Sequence, residues 1–219
     1  MSLIKLKNTE IKEAVTNGET DILSINLKYP SFEGENQKVC DKLCGFYSSA
    51  AAEYLKFCKT KFAPLLLKKS KNGGVFRKNG ASMSWYVSFL NENILSLLTD
   101  TSFFDGETKK SARYIHNWNL NDCSIIYAKK AFNPSRAAKE LYLDEICSKI
   151  SNGDGGFGYF SDAEKIARNR FDFENFYFTA KGIAFYYDKG VISGDDTAYP
   201  AFIIPYSEVE GITQMYRNI

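Results

Sequence analysis

Histidine is nearly missing from this 219-residue chain, in which His116 is the only one. A metal centre built on imidazole therefore lacks its usual ligands. The cysteines do not replace them: Cys40, Cys44, Cys58, Cys123 and Cys147 are odd in number and none stands in a C-x-x-C pair. Long hydrophobic runs are missing too. No stretch approaches the roughly 18 to 20 apolar residues that span a bilayer, and the opening "MSLIKLKNTEIKEA" has no signal-peptide core. The net charge of +2 argues neither for nor against a polyanionic partner. These absences lead to the expectation of buried, inert thiols, no metal and no cofactor. They also place the chain as given in the reducing cytoplasm, or outside the membrane if a leader or anchor precedes it.

Aromatic residues, by contrast, are plentiful. Seventeen Phe and fourteen Tyr suit pleated, half-buried surfaces and favour sheet. Apolar residues at 44% and charged residues at 25% are enough for a packed core, so disorder is excluded. The segment "EIKEAVTNGETDILSINLKYP" reads as a hairpin turning at Asn17-Gly18, with Leu23, Ile25, Leu27 and Tyr29 on one face and Pro30 as its end. From Glu35 to Lys61 the period becomes helical, with Val39, Leu43, Phe46, Ala50, Tyr54 and Phe57 as the apolar stripe. Pro64 and "KKSKNGG" close that helical region.

Met83, Trp85, Val87 and Phe89 alternate with polar or exposed-type residues, as do Ala112, Tyr114, His116, Trp118 and Leu120. With "NILSLLTDTSFF" between them they predict an antiparallel meander. Asn133-Pro134 predicts the start of a second helix carrying Ala138, Leu141, Tyr142, Ile146 and Ile150, stopped at Gly153. Ser161 and Glu164 form a capping-box pattern for a short helix. Strands follow near 174–179, 182–187 and 201–204. The expected fold class is α+β, with antiparallel sheets packed against a long helix in the N-terminal half and a second helix in the C-terminal half. The expected domains are 1–105 and 106–219.

No constellation specifies a reaction. "GDGGFG" at 153–158 satisfies the dinucleotide pattern formally but follows a helix instead of a strand, so a helix-ending loop is the better reading. As a calcium loop it lacks ligands at the required spacing. His116 could act as a general base, but no serine or cysteine is tied to it by a motif, which favours a structural histidine. Asp188, Asp195 and Asp196 flank the loop "KGVISGDD"; paired carboxylates do acid–base work only when their environments split their pKa values, and a solvated loop is the simpler reading. Residues 59–78 hold seven basic and no acidic residues, yet no nucleic-acid motif accompanies them. The acidic stretch 172–210, with seven carboxylates against Lys181 and Lys189, better suits a basic protein partner.

Phe178, Thr179, Lys181, Gly182, Phe185, Ile204, Pro205, Tyr206, Ser207 and Glu208 form a T-x-K-G turn followed by an "IPYSE" segment. In this the chain resembles the RsiV-like anti-sigma factor ectodomain family, whose members include a lysozyme sensor. "INLKYPSF" and the helix after it resemble the companion N-terminal domain found in peptidoglycan deacetylases, and "NWNLND" resembles the family's entry to its second helix. Two features depart from the family. "FFDGETKKSARY" stands where relatives carry a Gly-Gly-Ala-His stretch, and the membrane anchor that an anti-sigma relay requires is absent from the chain as given. The resemblance, the acidic loop and the missing catalytic constellation together lead to the expectation of a non-catalytic module that binds a protein or a cell-envelope ligand, lysozyme or peptidoglycan-like, and Asp195, Asp196 and Tyr199 of the acidic loop are the expected contact residues. An intracellular scaffold or oligomer and an envelope-glycan hydrolase using the carboxylates are the alternatives.

Overall fold

The computed structural model describes residues 4–71 and 79–213. Nine strands and five α-helices are described, in the order β1 (Lys5–Asn17), β2 (Thr20–Glu33), α1 (Gln37–Phe57), α2 (Ala63–Lys71), β3 (Gly80–Leu90), β4 (Ile94–Phe104) and β5 (Lys109–Asn119). These are followed by β6 (Ser124–Ile125), α3 (Ala128–Ala131), α4 (Arg136–Ser151), α5 (Ala163–Arg170), β7 (Phe176–Phe178), β8 (Gly182–Tyr186) and β9 (Ala201–Pro205). A six-stranded sheet has the order β1-β2-β3-β4-β5-β6 and a three-stranded sheet the order β7-β8-β9. The fold is α+β. The chain divides into two compact units, Met1–Tyr86 with Leu98–Tyr114 and Asn121–Cys123, and Val87–Leu97 with Ile115–Leu120 and Ser124–Ile219. No helix among the described residues is long and apolar enough to cross a membrane.

In the first unit β1 and β2 form the expected hairpin, antiparallel from Lys5↔Glu33 to Asn17↔Thr20. The two loop residues are Gly18 and Glu19, one place later than the sequence suggests. Gly18 alone has positive φ, at 62°, the pattern of a type II′ rather than a type I′ turn. Pro30 does not end β2, which runs on to Glu33. Proline is tolerated there because β3 pairs with β2 only over Ser24–Leu27, which leaves Pro30 with a single strand neighbour, β1. That β2–β3 pairing is parallel, so the connection must cross over, and α1 and α2 supply the crossover.

Asn36 caps α1 by accepting the Val39 N–H at 3.2 Å. Pro64 does not close the helical region either. It sits in the first turn of α2, directly after a π-helical turn at Cys58–Phe62 in which the Ala63 N–H reaches the Cys58 carbonyl. The wider turn accommodates a residue that has no N–H and whose ring would strike the carbonyl four residues back. The buried side of α1 is Val39, Cys40, Leu43, Tyr47 and Ala51, whereas Phe46 and Phe57 are each more than a third exposed. At Tyr47, Ala51 and Cys58 the core contact thus lies one position later than the apolar spacing suggests, while Tyr54 packs against the core as expected. Adjacent aromatics at 46 and 47 gave the pattern two equally good solutions. Leu23, Ile25 and Leu27 pack with Ala51, Cys58, Phe62 and Leu66 to close this core. A side chain buried as fully as Leu27 contributes about 1.5–3 kcal/mol.

The second unit is built around aromatic rings. Tyr142 of α4 is fully buried and stacks on Phe185 of β8 at 5.4 Å, while Phe132 meets Phe176 edge-on at 5.3 Å. The Tyr142 hydroxyl is satisfied by the Glu210 N–H at 3.0 Å. The cap of α4 is Ser135, not Asn133: the Ser135 Oγ accepts the Ala138 N–H at 3.0 Å. Leu143 takes the core position that spacing assigned to Leu141, which is 53% exposed. Ser161 and Glu164 make no capping box. Asp162 occupies the cap position of α5 without a side-chain bond, and the Glu164 carboxylate instead accepts from the Ser151 hydroxyl.

Candidate functional site

The loop joining β8 to β9, residues 187–200, holds most of the side chains that the sequence singles out. It is pinned at several points. The Tyr187 N–H donates to the Pro200 carbonyl and the Val191 N–H to the Asp188 carbonyl. Ser193 forms an isolated bridge with Tyr159. Lys189 spans the loop, donating to the Thr197 carbonyl at 2.9 Å with its ammonium 4.9 Å from the centre of the Tyr199 ring. Asp195 is committed to a local turn: its Oδ1 accepts the Thr197 N–H at 2.7 Å and the Thr197 hydroxyl at 2.6 Å. Those two donors hold its carboxyl below the usual range. Asp196 is exposed, and Tyr199 is buried beneath Lys189. The structure therefore places Asp195, Asp196 and Tyr199 on one loop in three different environments.

The start of the same loop lines a cleft of about 770 Å3. Ile166, Asn169 and Arg170 enter it from α5, Asn175 from the segment before β7, and Tyr187, Asp188, Gly190 and Val191 from the loop. Each is positioned by local structure. Ala167 is buried and its carbonyl accepts the Tyr187 hydroxyl at 3.1 Å, which ties the end of α5 to the start of the loop. Burial pushes the Tyr187 phenol up, so it stays neutral. The Asn175 backbone is fixed by the Asp172 carbonyl and the Tyr186 N–H. Asp172, through its Oδ1, accepts the Glu174 N–H and so shapes the turn that presents Asn175.

Four polar side chains line this cleft without commitment elsewhere. Those of Asn169, Arg170, Asn175 and Asp188 make no hydrogen bond or ion pair among the described residues. Arg168, next to Asn169 in α5, behaves differently: it pairs with Asp144 at 2.6 Å and with Glu140. Of the cleft residues only Asp188 stood out in the sequence. Asn169, Arg170 and Asn175 carry no motif; the bond from Tyr187 to Ala167 brings the first two beside Asp188, and that from Tyr186 to Asn175 the third.

A second concavity of about 410 Å3 lies in the first unit, lined by Ser24, Asn26, Asn79, Ser82 and Ser102 among others. Its groups are largely engaged: Ser82 and Ser102 bond each other at 2.9 Å and the Asn79 amide donates to the Ile22 carbonyl.

The chemistry of the other candidates is structural. Burial pushes the His116 imidazole down to about 4, so the ring is neutral at pH 7, and it does not line the cleft. The five cysteines are free thiols, and burial raises Cys58 to about 11. Among the described residues no group of three or more His, Cys, Asp or Glu side chains is placed to hold a metal. "GDGGFG" closes α4: Gly153 lies at φ 72° and a 3-10 turn spans Asp154–Gly156. Residues 72–78 of the basic run lie outside the described residues.

The motif that carries the family likeness is explained by bonding. The Thr179 hydroxyl accepts the N–H groups of Lys181 and Gly182 and donates to the Gly182 carbonyl, and Tyr206 donates to the Thr179 carbonyl at 2.8 Å. Gly182 is required by close approach, not by positive φ: a Cβ there would lie 2.1 Å from the Ile204 carbonyl oxygen.

Two solved structures share this architecture. One is a member of the DUF3298 family from Bacteroides fragilis NCTC 9343, with a TM-score of 0.66 and 18% identity over 94% of this chain and 92% of that one. The other is a DUF3298 family protein from Pseudomonas aeruginosa PAO1, with a TM-score of 0.61 and 14% identity over 97% and 94%. The chain shares their fold. DUF3298 is an uncharacterised domain family, and at this identity the likeness carries no residue role across. Comparisons with family models and with curated proteins gave no match.

Proposed function

We propose that this protein is a non-catalytic binding module for a protein or cell-envelope ligand, and that the cleft between the end of α5 and the β8–β9 loop is its principal contact site. The observation that carries this reading is the set of four uncommitted side chains, Asn169, Arg170, Asn175 and Asp188, lining one concavity. A cleft with a few converging polar groups is the usual form of a small-ligand site. Its lining residues include a single carboxylate and no imidazole, whereas glycoside hydrolysis ordinarily uses a pair of carboxylates, which disfavours the hydrolase alternative. The likeness of Phe178–Glu208 to the RsiV-like ectodomain supports a binding role as well. Asp196, exposed on the same loop, extends the proposed contact surface, and Asp195 shapes the turn that presents it.

Calorimetric titration of the full chain with lysozyme and with soluble peptidoglycan fragments tests the reading. Binding of either that is weakened at least tenfold by Arg170→Ala or Asp188→Ala is the expected result. Heats indistinguishable from dilution for both ligands, with the protein folded by circular dichroism, would refute it.

A further inference from the structure

The charges lining the cleft narrow the class of ligand. Arg170 and Asp188 carry opposite charges, line the same concavity, and pair neither with each other nor with any other described residue. Arg168, two residues away on the same helix, is paired with Asp144 at 2.6 Å, whereas the charges of Arg170 and Asp188 are both left available to a ligand. We infer that the cleft takes a zwitterionic peptide ligand, with a free carboxylate received by Arg170 and a free ammonium by Asp188. This inference rests on the binding-module reading above.

Five features of the cleft favour that class. A guanidinium presents a planar fork that matches a carboxylate in a bidentate pair. A carboxylate accepts from all three hydrogens of an ammonium in turn, since it offers about four lone-pair sites. Asn169 and Asn175 each offer an amide donor pair and a carbonyl acceptor, the complement of the N–H and C=O groups between a peptide's two ends. Half-buried Ile166 and Val191 add a small apolar surface suited to short aliphatic side chains. A volume of about 770 Å3 accepts two or three residues. A neutral glycan would cover two formal charges with uncharged hydroxyls, which desolvates them without compensation. A simple anion or cation would satisfy one of the two and lie close to the like charge of the other.

The test uses trialanine with free ends, N-acetyl-trialanine and trialanine amide, each titrated calorimetrically into the 219-residue chain at low salt. The free peptide is expected to bind at least tenfold more tightly than either blocked form, because each block removes one charge-assisted contact. Arg170→Gln should abolish the preference for a free carboxyl end and keep the preference for a free amino end; Asp188→Asn should do the reverse. Both residues are exposed, so the variants are expected to fold. Equal affinity for the three peptides would overturn the inference, as would unchanged discrimination in the two variants. No trialanine binding by a protein that still binds lysozyme or peptidoglycan fragments would overturn the inference alone and leave the binding-module reading standing.

Discussion

Asn117 sits in the core of the second unit, and replacing it with alanine should be among the most damaging single changes there. It is 4% exposed, accepts the Ser96 hydroxyl at 2.5 Å and donates to the Phe176 carbonyl at 3.0 Å. Ser96 in turn accepts the Phe178 N–H at 3.2 Å, so the two side chains tie β7 to β4 and β5 through a closed polar network. Asn117→Ala removes two bonds. The Ser96 hydroxyl can rotate towards another acceptor, but the buried Phe176 carbonyl loses this partner, at about 1–3 kcal/mol. The lost bonds and the void bring the total to about 2–4 kcal/mol. Ser96→Ala should cost about 2–3 kcal/mol, because it takes the acceptor from Phe178. The double variant should cost at least about 1 kcal/mol less than the sum, since both changes break the same link. Urea unfolding reports the effect through the fluorescence of Trp118, which is buried in the same unit, in a Trp85→Phe background. A cost below about 1 kcal/mol for Asn117→Ala, or strict additivity, would refute the claim that these groups act as a network.

Further outcomes follow from the same physical chemistry. Gly182→Ala should destabilise by about 3 kcal/mol or more in urea melts, because its Cβ would sit 2.1 Å from the backbone oxygen of Ile204; a loss under about 1 kcal/mol would mean that β8 and β9 are not held so closely. Ser193 is fully buried and its hydroxyl has no hydrogen-bond partner among the described residues, so Ser193→Ala should be neutral or stabilising by up to about 1 kcal/mol, the opposite of Ser96→Ala. His116 is pushed down to about 4 by burial, so between pH 6.5 and 4 the unfolded chain binds a proton that the folded chain refuses. Stability from this residue is therefore intact above pH 6.5 and lost on acidification through that window, by roughly 2–3 kcal/mol; His116→Phe should flatten this part of the melting-temperature profile against pH. Four of the five thiols are buried, so an aromatic disulfide reagent at pH 8 should label at most Cys44 rapidly in the native protein and all five cysteines in denaturant.

Periodic patterns made much of this fold legible. The hairpin, the long helix and the strands β3 and β5 advertise themselves by spacing, because burial of one face selects residues at period 2 or 3.6, while β4 and the three closing strands show as short apolar runs. The details that escaped depend on neighbours remote in sequence. Pro30 fits inside β2 because β3 stops pairing at Leu27, and the parallel β2–β3 register depends on where the crossover helices return the chain. At α1 the choice between Phe46 and Tyr47 turns on a core that no local window contains. The candidate cleft was legible only in Asp188. Arg170 is one of several basic residues around a helix end, and nothing but its failure to pair, visible only in three dimensions, separates it from Arg168. The T-x-K-G turn illustrates the converse: the residues that carry the resemblance are occupied in bonding the turn itself.

The central claim, that the uncommitted side chains of the cleft receive a ligand, is tested most directly by nuclear magnetic resonance. Side-chain amide signals of Asn169 and Asn175 and the Arg170 Nε–H signal, assigned by single substitutions, are followed while trialanine or a peptidoglycan fragment is added. The account predicts saturable shifts concentrated at those three residues and at the backbone of Asp188. Saturable shifts elsewhere, with these signals unmoved, would contradict it.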